Sequence, residues 1–121
     1  MEVLLDSNFI VACMKRKIDF ISELESMGFK AALPREVFQE LKDLRLKVPH
    51  DDRVAIDLAF EKFRGSKIKK VTLGNRNVDL GLIEKGRKGG YIATLDAAIK
   101  RSVPNKIMIS DAKNSLIVER S

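Results

Sequence analysis

Four acidic side chains, Asp6, Glu40, Asp79 and Asp96, are the residues of this chain whose types and placing could do chemistry. The alternatives are few. There is one cysteine, Cys13, and one histidine, His50, so no Cys-rich or His-based zinc site and no intramolecular disulfide can form. Any Ser–His–Asp or Cys–His triad would have to run through His50. What remains is oxygen chemistry: carboxylates and water hold hard ions such as Mg²⁺ and Mn²⁺, and a bound cation lets like charges converge. A centre of that kind polarises a phosphate, lowers the pKa of a bound water and stabilises both oxygens of an in-line displacement.

Each acid also has a plainer use. Asp6 follows the apolar run Val3-Leu4-Leu5, and Asp96 follows Tyr91-Ile92-Ala93-Thr94; both suit a helix N-cap, worth roughly 1 kcal/mol. Asp79 is harder to explain that way. At about 100° per helical residue, Val78 and Leu82 lie on one side of it and Leu80 and Ile83 on the other, which places the carboxylate in the middle of an apolar face. An unpaired charge there is costly. Glu40 borders the face marked by Val37, Phe38, Leu41 and Leu44, with Glu36 and Asp43 turned further towards solvent; its plainer use is a surface pair with Lys42 or Arg45.

The charge distribution points the same way. The chain has 121 residues, 23 Lys+Arg against 17 Asp+Glu, a net charge of +6 and a pI near 9.6. Residues 1–61 hold nine bases and twelve acids, whereas residues 62–113 hold thirteen bases and only four acids, Asp79 and Asp96 among them. A basic half favours a polyanionic partner, chiefly nucleic acid. Lys67, Lys69, Lys70, Arg76, Arg87, Lys88, Lys100 and Arg101 are the expected phosphate contacts, although the first three equally suit the lysine-protected edge of a sheet. Gly86-Arg87-Lys88-Gly89-Gly90 lacks the order of a phosphate-cradling loop and reads as a helix stop and turn. Aromatics make up 6% of the chain, too few for a base-stacking platform. His50 reads as an exposed residue at a helix start, and Cys13 and Met14 as helix packing. Acids for a metal and bases for a backbone describe a phosphodiesterase.

The elements that must position these residues alternate. Strands are expected at Val3–Leu5, Ala31–Leu33, Ile68–Leu73, Tyr91–Thr94 and Ile107–Ile109, with Leu116–Val118 a further candidate. Helices follow Asp6-Ser7-Asn8, run from Ile18 to a stop at Gly28, start at Pro34, start again after Pro49 and close at Gly65, span about Arg76 to Lys85, and begin after Asp96. That order predicts one α/β domain over residues 1–121, a three-layer α/β/α sandwich with a mostly parallel sheet of about five strands. Ligands of such sheets bind at the carboxyl ends of the strands, where Asp6 and Asp96 stand. No apolar run is long enough for a membrane span and no signal-peptide pattern opens the chain, so a cytoplasmic, reducing location is expected.

At this point the residues resemble a known family. Val3-Leu4-Leu5-Asp6-Ser7-Asn8-Phe9-Ile10 is similar to the opening strand and first acid of PIN domains, and Pro34-Arg35-Glu36-Val37-Phe38-Gln39-Glu40-Leu41 to the segment bearing their glutamate, which maps to Glu40. Val78-Asp79-Leu80-Gly81-Leu82-Ile83 resembles their third acidic motif, and Tyr91-Ile92-Ala93-Thr94-Leu95-Asp96 their T-x-D. The resemblance implies a Mg²⁺- or Mn²⁺-dependent endoribonuclease with Asp6, Glu40, Asp79 and Asp96 as catalytic and metal-binding residues. Ser7, Asn8 and Thr94 would support the acids or orient water. The match is closer to archaeal relatives of the ribosomal-RNA-processing PIN proteins than to typical VapC toxins. With one acid rather than two around Asp79, one ion with water-mediated contacts is expected. Implied partners are RNA, a second copy of the chain through the apolar first helices, and an antitoxin or ribosome-assembly partner. The alternatives are a non-catalytic PIN-like RNA-binding or ribosome-assembly module and a phosphoacceptor signalling domain; the latter lacks its paired acids after the first strand and its lysine after the last.

Overall fold

A computed structural model describes every residue, Met1–Ser121. The chain opens with β1 (Glu2–Leu5), whose Val3, Leu4 and Leu5 are all buried, as a strand covered on both faces requires. Four helices surround the second strand and the approach to the third: α1 (Ser7–Lys15), α2 (Phe20–Ser26), β2 (Lys30–Pro34), α3 (Arg35–Arg45), α4 (His50–Ser66) and β3 (Lys69–Val71). Then come α5 (Val78–Arg87), β4 (Tyr91–Ala93), α6 (Ala97–Ser102), β5 (Lys106–Ser110) and β6 (Ser115–Glu119).

The six strands form one sheet in the order β3-β2-β1-β4-β5-β6, parallel except for the final β5–β6 hairpin. The expected three-layer α/β/α architecture is therefore present, with Leu116–Val118 supplying a sixth strand. Alternate residues divide the sheet between two cores. Val3, Leu5, Leu33 and Ala93 face α1–α4, where Phe20 stands edge-on between Phe9 and Phe63, each ring 6.2 Å away. Leu4, Ala32 and Ile92 face Leu82 of α5 and Ile99 of α6.

Several limits depart from expectation: α2 starts at Phe20 rather than Ile18, because Asp19 caps it by accepting the Ser22 N–H, and β3 is Lys69–Val71 rather than Ile68–Leu73. α4 runs through Gly65 to Ser66, and Lys67, not the glycine, takes the left-handed cap conformation (φ 52°). α5 starts at Val78, because the Asn77 side chain caps it by accepting the Leu80 N–H at 3.0 Å. Gly28 ends the second helical segment with a φ of 88°, as a glycine at that position can. No helix is long and apolar enough to cross a membrane.

Chain direction along the sheet reverses beside β1: β2 and β3 lie on one side of it, β4 and β5 on the other. The crevice outside the carboxyl ends of β1 and β4 is thus the switch point at which open parallel sheets bind ligands.

Candidate active site

Asp6 leaves β1 at that switch point, and its backbone N–H donates to Ala93 of β4 at 2.9 Å. Its side chain is only 3% exposed. Oδ1 accepts the Ser7 N–H at 2.8 Å, starting α1, and Oδ2 accepts the Thr94 hydroxyl at 2.7 Å. Burial pushes the carboxyl up to about 6; the bonds from Thr94 and Ser7 oppose the rise, and the Glu40 and Asp79 carboxylates nearby add to it.

The remaining contacts join the β1–α1 and β4–α6 connections into one polar floor. Thr94 is fully buried, and while its hydroxyl donates to Asp6 its oxygen accepts the Asp96 N–H at 3.0 Å. Asp96 caps α6 by accepting the Ile99 N–H at 2.9 Å. Asn8 Oδ1 accepts the Leu95 N–H at 3.1 Å. From α3, the Glu40 carboxylate accepts the Ser7 hydroxyl. Asp6, Glu40 and Asp79 are thus close enough for their charges to interact, whereas Asp96 meets Thr94 only through its backbone N–H and uses its carboxylate to cap α6. None of the four acids is ion-paired with a lysine or arginine, in a chain whose net charge is +6.

Asp79 does not point into the apolar face where its spacing put it. It is exposed, and so is Leu80, at 53%. The buried stripe of α5 is Gly81, Leu82 and Gly86. A Cβ on Gly86 would stand 2.3 Å from Val103 Cγ1 and one on Gly81 2.9 Å from Leu73 Cβ. The helix therefore seats its two glycines against its neighbours, which turns Leu80 outward and leaves Asp79 at the border of the stripe.

Glu36 is the residue that sequence reasoning passed over. Rather than facing solvent, its carboxylate accepts the Leu73 N–H at 3.0 and 3.1 Å and the Thr72 hydroxyl at 3.0 Å. Partial burial works against the charge, but these bonds outweigh it and hold the carboxyl below its usual range. Glu36 thereby anchors the connection that leads to α5 and Asp79. Its one local signal is a place four residues before Glu40, on the same side of the helix.

The expected phosphate contacts divide. Arg76 lines a groove beside Glu40 with Glu36, Gln39, Asp43 and Val78. Lys100 and Arg101 lie in the last turn of α6, whereas Arg87 and Lys88 end α5 just before β4 begins, at the amino end of the sheet and a whole helix away from Asp79; none of the five is ion-paired. At the same amino end Lys69 pairs with Glu2 and Lys67 precedes it, while Lys70 Nζ lies 5.2 Å from the centre of the Phe38 ring. His50 is an exposed first residue of α4, as expected, and Cys13 is buried, its thiol pushed up to about 12 by that burial.

Among solved structures the chain matches one described as the PIN domain endonuclease Utp24, with a TM-score of 0.73 over 99% of this chain and 92% of that one. The fold is that of a PIN domain. Sequence identity to that structure is 18%, so the likeness is one of fold. No family model and no curated protein matches the sequence. On this PIN fold the switch point carries Asp6 and the Thr94–Asp96 connection.

Proposed function

We propose that the protein is a Mg²⁺- or Mn²⁺-dependent endoribonuclease that hydrolyses RNA phosphodiester bonds at the acidic cluster of its switch point. The observation that carries this reading is the state of Asp6, a buried carboxylate crowded by Glu40 and Asp79 with no basic partner. A site built so is completed by a cation, and an all-oxygen donor set fits a hard ion. No three of the acidic, His or Cys side chains are arranged to coordinate one ion by themselves. The fit is therefore one of charge and donor chemistry, with water completing the coordination, as Mg²⁺ commonly keeps it. Asp6, Asp79, Glu40 and Asp96 are the residues that would hold it. When bound, the ion supplies charge to polarise the scissile phosphate and a water activated as nucleophile.

The chain's own residues do the rest. Thr94 and the Ser7 amide fix both oxygens of Asp6, Ser7 orients Glu40, and Asn8 ties the two acid-bearing connections together. Arg76, Lys100 and Arg101 hold the polyanion. RNA processing or a VapC-like toxin role both use this chemistry, the structural neighbour being described as an endonuclease; a cytoplasmic single-domain enzyme acting alone or as a homodimer accommodates either.

The test is cleavage of a labelled RNA in Mg²⁺ or Mn²⁺. Asp6→Asn, Asp79→Asn, Asp96→Asn and Glu40→Gln should each lower the rate on the order of a hundredfold or more while circular dichroism stays unchanged. Salt-sensitive RNA binding without cleavage in either ion would replace this reading with the non-catalytic RNA-binding or ribosome-assembly module.

A further inference from the structure

β3 is an edge strand that pairs with β2 at three positions and ends at Val71. Beyond it the chain must leave the edge, pass β2 and β1 and enter α5, which packs on β4. Residues 72–77 make that crossing outside any strand or helix, and Asp79 follows directly. Side chains replace the missing ladder. The Thr72 oxygen accepts the Gly74 N–H at 3.3 Å, Asn75 accepts the Asn77 N–H at 2.9 Å and donates to Glu84 of α5 at 2.9 Å, and Asn77 caps α5. These bonds stay within the segment and the helix it enters. Only the Thr72 hydroxyl and the Leu73 amide reach across to another layer, and both donate to Glu36 of α3.

Leu73 turns that anchor into a constraint on Asp79. Both Glu36 oxygens hold its amide, at 3.0 and 3.1 Å. Its side chain is buried against α5 so closely that a Cβ on Gly81 would stand 2.9 Å from the Leu73 Cβ. Gly81 lies two residues beyond Asp79 in the same helix, and one turn of a helix moves as a unit. Where Leu73 sits therefore decides where the Asp79 carboxylate stands. On the other side the link is as short, since Glu36 and Glu40 are one turn apart on α3. Glu36 is ion-paired with no lysine or arginine, and its two oxygens are occupied by Leu73 and Thr72.

We infer that Glu36 is a positioning residue: by clamping Leu73 to α3 it sets where Asp79 stands relative to Glu40, and so tunes the affinity of the acid cluster for a divalent ion. It acts through Leu73 and α5 and does not hold the ion itself. The inference rests on the reading of the acids as a metal site and adds the residue that assembles it.

Mn²⁺ titration of the full-length protein, followed by electron paramagnetic resonance with no RNA present, tests it. Glu36→Ala should weaken Mn²⁺ binding about tenfold, a common cost of losing a group that orients a ligand, and should speed exchange of the Leu73 amide proton. Glu36→Gln keeps an acceptor for the Leu73 N–H and a donor for the Thr72 oxygen, so it should stay within about threefold of the parent on both measures. Thr72→Val, which leaves α3 untouched and removes one bond of the clamp, should give an intermediate loss. In RNA cleavage the rate lost in Glu36→Ala should return when Mn²⁺ is raised about tenfold, a rescue that general loss of folding would not show. Unchanged Mn²⁺ affinity in Glu36→Ala would overturn the inference. So would a Glu36→Gln variant as weak as Glu36→Ala, because the charge of Glu36 rather than its hold on Leu73 would then be what the ion needs. A parent protein that binds no Mn²⁺ would overturn both readings. Cleavage separates them otherwise: weaker Mn²⁺ binding in Glu36→Ala with no RNA cleavage by the parent keeps the clamp and removes the nuclease, whereas cleavage with equal Mn²⁺ affinities does the reverse.

Discussion

On one face of the sheet α1–α4 enclose a cluster of 20 buried residues, including Phe9, Phe20 and Phe29; on the other, α5 and α6 enclose a cluster of seven. The ion pairs divide in the same sense. Lys15–Asp52, Arg45–Asp57 and Lys62–Asp19 all tie residues of the larger layer to one another, while the cations of α5 and α6 stay unpaired. Buried apolar area is the main source of folding free energy, so the larger layer carries most of the stability. The smaller layer contributes Asp79, Asp96 and free positive charge. Each layer also lends an acid-bearing segment to the seam between them, Glu40 from one side and Asp79 from the other, with Asp6 in the sheet itself.

Core truncation is the strongest way to break this contrast. Phe20→Ala should cost about 3–5 kcal/mol in denaturant unfolding and Leu82→Ala about 2 kcal/mol; equal losses would mean that the two layers share stability evenly. Next is the seam. Because the folded Asp6 carboxyl is pushed up to about 6 from 3.8, the folded state binds that proton more tightly than the unfolded chain. Its contribution is therefore fully present below pH 4 and lost as pH rises through about 6, a change of roughly 3 kcal/mol. Urea midpoints in chelator across that window should fall for the parent protein more steeply than for Asp6→Asn, which should be the more stable of the two at pH 7. Parallel pH profiles would show that the buried carboxylate is not under stress.

Surface charge carries the smallest effect. Replacing Arg76, which lines the groove beside Glu40, with Glu should weaken binding of single-stranded RNA severalfold and lower the slope of log K against log salt by about 0.7, the value for one lost phosphate contact. Replacing Lys67 and Lys69, or Arg87 and Lys88, in the same way should change neither quantity, since all four lie towards the amino end of the sheet. Anisotropy titrations at several salt concentrations would separate the two ends of the sheet.

What the sequence made legible was local. The run into Asp6, the cap at Asp96 and the stop at Gly28 each depend on neighbours within a few residues, and each appears where it was read. The orientation of Asp79 was not legible, because Gly81 and Gly86 count for nothing in an apolar pattern yet permit the closest packing on their helix. Glu36 was beyond reach for a different reason: its partner is the backbone of Leu73, 37 residues away. Lys69 likewise spends its charge on Glu2, 67 positions back. Only the folded register of β1, β2 and β3 brings such pairs together, and the same register decides which of the many lysines face the acids.

The bond from the Leu95 amide to the Asn8 side chain has a consequence for hydrogen exchange. Leu95 is 37% exposed and precedes α6, outside any strand or helix, a setting in which amide protons normally exchange with solvent quickly. Held on Asn8 at 3.1 Å, this proton should persist in D₂O well beyond those of nearby loop amides, and Asn8→Ala should release it. Its lifetime would report whether the two halves of the seam are latched, with neither substrate nor ion added.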